Sequence, residues 1–213
     1  MLTGCSVEVH ERFDADAVNA AIGAGRVTFA SLVPTMLQRL LDTPSASALP
    51  AGLRCVMLGG GPVPPALVER AIAAGIPVAP TYGLTEAGST VTVLPPDEVA
   101  SRPSSAGRPL SGTEILVADE RGTPVQSGQL GEILVRSDTV ATTTIEGRPV
   151  ERLDGWLRTG DLGWEDREGY LYVADRRTDL VVTGGENVMP AEVEAVLLEH
   201  PAVLEAGVYG RPD

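Results

Sequence analysis

Lysine is missing from the whole chain, so all 16 basic residues are arginines and no side chain carries a compact ammonium charge. Arginine spreads its charge over a planar fork and replaces a point charge poorly. Cysteine is nearly missing too. Cys5 and Cys55 stand far apart without a metal-like spacing, with only His10 and His200 beside them and none of these near neighbours, so a structural zinc site is not expected. The opening residues show no basic head, apolar middle and cleavage site, so a reduced, cytoplasmic location is expected. Apolar stretches are short and interrupted, as Arg54 interrupts residues 53–58, and membrane insertion is not expected. Positive charge is also scarce. With a formal net charge of -13 and scattered arginines, the chain would repel a phosphate backbone, so nucleic acid is a poor partner. A small anionic ligand such as a nucleotide stays possible, because local N–H groups and a metal can outweigh a distant net charge.

What is present is an alternation of helix and strand signals over the first ninety or so residues. Asp14 is placed to cap a helix through Ile22, a strand follows at residues 27–30, and Pro34 opens a helix with Met36, Leu37, Leu40 and Leu41 on one face. The unit then recurs. A buried strand is predicted at residues 53–58, a helix from Pro64 or Pro65 carrying Leu67, Val68, Ala71 and Ile72, and a strand at residues 77–80 after Gly75. From Gly112 the pattern shifts to short alternating segments at 114–118 and 132–136, an antiparallel β texture, followed by a strand around Trp164, a turn at Glu168-Gly169 and a strand at 170–173. The charged run at residues 175–179 marks a domain boundary. Beyond it a strand at 180–183, a Gly184-Gly185 turn, a helix from Pro190 with Val193, Val196 and Leu197 inward, and a strand at 204–209 are expected. Neither an internal repeat nor a low-complexity tract is visible.

Three stretches carry candidate chemistry. Thr81-Tyr82-Gly83-Leu84-Thr85-Glu86 follows a predicted strand, where Gly83 would let the backbone turn at the ligand-facing edge of an α/β sheet. Tyr82 offers a flat ring, Thr85 a hydroxyl and Glu86 a hard oxygen ligand suited to Mg²⁺. A plain glycine turn with a buried tyrosine fits these residues equally well. Gly59-Gly60-Gly61-Pro62 ends another strand ahead of a helix, and would permit close approach of a ligand or serve as a simple connector. Asp161, after Thr159-Gly160, can accept two hydroxyl hydrogen bonds from a ribose diol, and Arg176 can add a fork to the same sugar or phosphate. Singly, Asp161 also fits a turn former and Arg176 a surface ion pair.

In order and spacing, together with residues 27–36 and the run Thr183-Gly184-Gly185-Glu186-Asn187, these motifs resemble the adenylate-forming superfamily, acyl-CoA synthetase type, over nearly the whole chain. Within it, residues 31–37, 59–62, 175–179 and 184–187 resemble o-succinylbenzoate-CoA ligases in particular. The resemblance implies an α/β fold: residues 1–111 as the α/β portion of a large AMP-binding domain, 112–177 as its β subdomain, and 178–213 as the start of a small, mobile α+β domain. It further implies that Gly59, Gly60, Gly61, Pro62, Thr81, Tyr82 and Gly83 line an adenine pocket, with Thr85 at the α-phosphate and Glu86 on Mg²⁺. Asp161 would hold the ribose with help from Arg176, Thr178 would be the hinge, and the Gly184-Gly185 loop would line the thiol channel.

Implied substrates are ATP, giving AMP, a small carboxylic acid and CoA. A carrier-protein thiol in place of CoA, and a truncated, non-catalytic remnant or binding module, are the alternatives. The family's Ser/Thr/Gly-rich phosphate loop and its C-terminal lysine have no counterpart in these residues, so the chain is expected to be a fragment that does not form a thioester alone. Residues 141–148 also depart from the family, where an aromatic-containing Gly-Tyr stretch is usual. Oligomeric state leaves no mark in the sequence.

Overall fold

A computed structural model of the chain describes residues 4–43, 52–176, 180–183, 186–198, 200, 202–203 and 206–211. Helix α1 (Ala15–Gly23) begins at Asp14, whose extended backbone and carboxylate suit an N-cap; Asp14 Oδ1 accepts from the Ala17 N–H at 3.0 Å. Strand β1 (Phe29–Leu32) leads into helix α2 (Pro34–Asp42), where proline at the first position costs no hydrogen bond. Leu37 and Leu40 are its buried residues. After β2 (Cys55–Leu58), helix α3 (Pro65–Ala73) opens on proline again and buries Leu67, Val68 and Ala71. Ile72, expected on the same face, is 39% exposed, because it sits about a quarter turn off the centre of that stripe. β1 and β2 begin two residues later than the sequence pattern indicates, at residues 29 and 55.

The first sheet has the order β1-β2-β3-β4-β5, with β3 (Val78–Leu84), β4 (Ser89–Val93) and β5 (Arg108–Pro109). β1, β2 and β3 are parallel, joined by α2 and α3 as crossovers, whereas β3–β4 and β4–β5 are antiparallel. The pairing of β3 with β2 ends at Leu58↔Pro80, yet β3 does not turn there. It runs on through Tyr82, Gly83 and Leu84 against β4, with an irregularity between Tyr82 and Gly83. The expected glycine turn is therefore a strand. Gly83 is needed for close approach, since a Cβ on it would overlap the Ser89 carbonyl of β4. Leu37, Leu58, Val68, Val78 and Leu94 form the centre of the core beneath the helices.

The second sheet is antiparallel throughout. It contains β6 (Thr113–Ala118), β7 (Gly131–Ser137), the short β8 (Arg152–Leu153), β9 (Trp156–Glu165) and β10 (Leu171–Arg176), in the order β10-β9-β7-β6, with β8 on β9. The stretch 141–148 folds back on itself through a Thr143↔Pro149 bridge and leaves Ile145 fully exposed. Ile133, Val135, Leu157 and Leu171 of this sheet pack with Tyr82, Ala87 and Val91 of the first, so the two sheets share a core. Backbone bonds from the Ala106 N–H to Leu171 O at 2.9 Å, and from the Leu171 N–H to Gly107 O at 2.8 Å, pin the sheets together.

β11 (Val181–Thr183) pairs with β12 (Glu186–Val188), and helix α4 (Pro190–Leu198) follows. The Ala191 N–H donates to Asp175 Oδ2 at 3.1 Å, tying this helix to the end of β10. Val193, Val196 and Leu197 are 37%, 62% and 45% exposed rather than inward; α4 meets the end of β10, which covers little of the helix. Of the strand expected at 204–209, residues 206–209 have no regular structure, and 204 and 205 lie outside the described residues. Gly61 meets nothing where a Cβ would stand. Gly83→Ala is expected to lower unfolding stability by about 3 kcal/mol and Gly61→Ala by under about 0.5 kcal/mol. Denaturant titration of the two variants checks the contrast, and equal costs would contradict the strand assignment of Gly83.

Candidate functional site

The carboxyl end of β2, Leu58, lies beside Pro80 inside β3, at the usual ligand edge of an open α/β sheet. Gly59, Gly60, Gly61 and Pro62 lead out of β2 toward α3, and Thr81 Oγ1 of β3 donates to Leu58 O at the end of β2 at 3.2 Å. One residue on, Tyr82 turns into the shared core and is 8% exposed. Its hydroxyl donates to Asp161 Oδ2 at 2.7 Å, a bond between residues of the two sheets. Asp161 is 6% exposed. The charge of a carboxylate so placed needs strong donors. The second one comes from Arg176, whose Nε donates to Asp161 Oδ1 at 3.1 Å.

Strand register explains this meeting. Arg176 of β10 is the direct cross-strand partner of Asp161 in β9, so the two side chains are neighbours once the sheet forms. Asp161 was expected after a glycine turn; it stands instead inside a ten-residue strand, where Gly160 has a φ of +75°. The Arg176 side chain is 65% exposed, so solvent screens its pair with Asp161, and the Tyr82 hydroxyl is the stronger anchor. Burial first, then the charge of Asp161, pushes the Tyr82 phenol well above its ordinary range, and it stays a neutral donor.

Thr85 and Glu86 occupy a single 3₁₀ turn, Thr85–Ala87, closed by left-handed Gly88. Their backbone is held from the side: the Ala141 N–H donates to Glu86 O at 2.7 Å, and Thr139 Oγ1 to Ala87 O at 2.8 Å. Both side chains face solvent. Among the described residues no group of three or more His, Cys, Asp or Glu could hold a metal by itself. A single exposed carboxylate on a fixed turn does fit Mg²⁺, which commonly takes one or two carboxylates and fills its shell with water and phosphate oxygens.

The structure thus gathers Tyr82 and Arg176 on the Asp161 carboxylate, and sets Gly59, just past the end of β2, beside Thr81 of β3. Thr178, Gly184 and Gly185 lie outside the described residues. Two further side chains escape a linear reading. Glu132, 5% exposed, and Arg158 form a forked pair next to Asp161, with Arg158 Nε 3.2 and 3.1 Å from the two Glu132 oxygens. The one available signal was an acidic residue opening the apolar run Ile133-Leu134-Val135.

Residues 1–143 match the sequence profile of the family described as AMP-binding enzyme. The 2-succinylbenzoate–CoA ligase of Bacillus licheniformis is 44% identical over 216 aligned positions, covering 100% of this chain and 45% of that protein. Among solved structures, the o-succinylbenzoate CoA synthetase of Bacillus subtilis with its acyl-adenylate intermediate superimposes with a TM-score of 0.86 at 43% identity, covering 96% of this chain and 42% of that one. The same enzyme in complex with ATP and magnesium gives a TM-score of 0.85 at 43% identity, over 96% of this chain and 43% of that one. The chain therefore spans about 45% of the length of the curated relatives it matches.

Because the raised pKa keeps Tyr82 protonated in the fold, the unfolded chain loses that proton first as pH passes about 10. Stability from this group is whole below that pH and declines above it. Tyr82→Phe is expected to show a shallower alkaline loss of stability. Its phenolate absorbance between about pH 9 and 11 should also match that of the unaltered protein. A missing increment of phenolate in the variant would contradict the buried, Asp161-bound hydroxyl.

Proposed function

This chain belongs to the family of AMP-binding enzymes, and from that footing we propose that the whole protein is an ATP-dependent, AMP-forming acid–thiol ligase. It activates o-succinylbenzoate as the acyl adenylate and passes the acyl group to CoA. The observation that carries the reading is the convergence of Tyr82 and Arg176 on the buried Asp161 carboxylate, with Thr81, the neighbour of Tyr82, bonded to the end of β2 that leads into Gly59. A carboxylate has about four acceptor positions, and the two protein donors leave room for both hydroxyls of a ribose. Relatives named for the same acid and for CoA support the choice of substrates.

In this proposal Gly59, Gly60, Gly61, Pro62, Thr81 and Gly83 border the adenine, and Tyr82 lies along the base while its hydroxyl fixes Asp161. Asp161 accepts the ribose hydroxyls. Arg176 steadies Asp161 and adds positive charge near the sugar and phosphate. Thr85 donates to the α-phosphate. Glu86 takes part in holding Mg²⁺, which when bound neutralises phosphate charge. Residues 1–111 and 112–177 then form one large nucleotide-binding unit. Residues 178–213 open a small domain that swings about Thr178 and brings Gly184 and Gly185 to the thiol channel, so one site serves adenylation and thioester formation in turn.

The 213 residues alone contain no lysine to place on the reacting carboxylate and phosphate, and are expected to release no acid-dependent pyrophosphate. For the full-length protein, pyrophosphate release should be faster with o-succinylbenzoate than with a panel of fatty and aryl acids. Thioester should form with CoA rather than with a phosphopantetheinylated carrier. No acid-dependent release would sink the proposal. Glu86→Gln should lower kcat by about 100-fold and raise the Mg²⁺ requirement. Wild-type turnover at ordinary Mg²⁺ would remove Glu86 from the metal.

A further inference from the structure

The feature that decides where Asp161 points is an irregularity in β9. On β7, Glu132 and Leu134 are separated by Ile133 alone; on β9 their partners Leu162 and Arg158 are separated by Thr159, Gly160 and Asp161. Three residues thus stand opposite one, and a β-bulge of this kind leaves ladder groups without backbone partners. Side chains recover them. Thr159 Oγ1 donates to Ile133 O at 2.7 Å and accepts from the Asp161 N–H at 3.0 Å. The Gly160 N–H, on a residue with a φ of +75° that favours glycine, points to Glu132 Oε1 at 3.4 Å. Glu132 is itself held in place by the forked Arg158 guanidinium.

Alternation along β9 puts Leu157, Thr159 and Asp161 on one side, the side where Tyr82, Ile133 and Leu157 pack. The bulge lifts the carboxylate from that apolar surface toward the Tyr82 hydroxyl and the Arg176 fork. In an unbulged strand one residue, not three, would oppose Ile133, and Asp161 would fall at a different place along the sheet.

We infer that Thr159 and Glu132 are positioning residues for the nucleotide sugar: by capturing the Ile133 carbonyl and the Asp161 and Gly160 N–H groups, they fix the bulge that aims Asp161 at the ribose hydroxyls. The inference rests on the proposed role of Asp161. Neither residue touches the nucleotide. Glu132 acts through the backbone of residues 159–161, and Thr159 acts through that backbone and through its side-chain hydrogen bond with Tyr82. A side chain that only strengthened the sheet would alter stability without altering how the protein tells a ribose from a sugar lacking its hydroxyls.

The test is a double-mutant cycle on the full-length protein, read as the ratio of kcat/KM for ATP to that for 2′,3′-dideoxy-ATP in acid-dependent pyrophosphate release. Asp161→Asn should lower the ratio by about tenfold or more, a loss equivalent to one charge-assisted hydrogen bond. Thr159→Val and Glu132→Gln should each lower it by about fivefold, mainly through KM for ATP, with Thr159→Ser restoring it. In the Asp161→Asn background neither substitution should lower it further. If Asp161→Asn lowers the ratio but Thr159→Val leaves it at the wild-type value, or lowers it equally in both backgrounds, the positioning role is overturned while the sugar-binding role of Asp161 stands. If Asp161→Asn itself leaves the ratio unchanged, the ribose reading falls and this inference with it. Should Glu132→Gln not fold, the Thr159→Val and Thr159→Ser pair decides the matter alone.

Discussion

A neutral phenol donating to a nearly buried carboxylate, Tyr82 to Asp161 at 2.7 Å, is the contact on which the arrangement of the two sheets depends. A carboxylate 6% exposed must be met by donors, because burying an unpartnered charge is costly. One donor is supplied by β3 of the mixed sheet and the other by β10 of the antiparallel sheet, so the charge of Asp161 is satisfied only when both sheets are formed and docked. A hydrogen bond to a charged group is worth about 1.5–3 kcal/mol, and here it adds to the apolar contacts among Tyr82, Val91, Ile133 and Leu171. The Ser105 hydroxyl, donating to Leu171 O at 2.9 Å and accepting from the Gly107 N–H at 3.0 Å, fastens the same seam at another point.

This seam also orders what surrounds it. Arg176 is the last residue of β10, and its neighbour Asp175 accepts from the first turn of α4, so the strand that bonds Asp161 also holds the start of that helix. A movement of residues beyond 176 would therefore be felt at Asp161 through Arg176, whereas the Tyr82 bond lies inside the core and would stay. Under the proposed function, such a division between a fixed anchor and a movable one would let the site grip a nucleotide through two successive reactions.

How far the sequence foretold this differs from element to element. Helices α1, α2 and α3 were legible because their starts are written in single residues, Asp14, Pro34 and Pro65, and their inner faces in a 3.6-residue spacing. Gly83 misled because a glycine after a strand permits two things, a turn or a close neighbour, and only the position of Ser89 tells which. The inward placement of Val193, Val196 and Leu197 failed for a related reason: apolar spacing says which face could be buried, not whether anything covers it. The resemblance implies that Tyr82, Asp161 and Arg176 serve one nucleotide; that Tyr82 and Arg176 bond Asp161 directly is a finding of the structure, which spacing alone does not supply, since 79 residues separate the first pair. Glu132 and Thr159 were not singled out, because the backbone groups they hold are exposed by a bulge, and a bulge is a property of two strands in register rather than of either one.

The most direct measurement is a crystal structure of the full-length protein with AMP. The account predicts the base beside Tyr82 and both ribose hydroxyls within about 2.6–3.2 Å of the Asp161 carboxylate, with the Tyr82 and Arg176 bonds kept. AMP lodged elsewhere, with Asp161 still closed off by Tyr82 and bonded to no sugar, would contradict it.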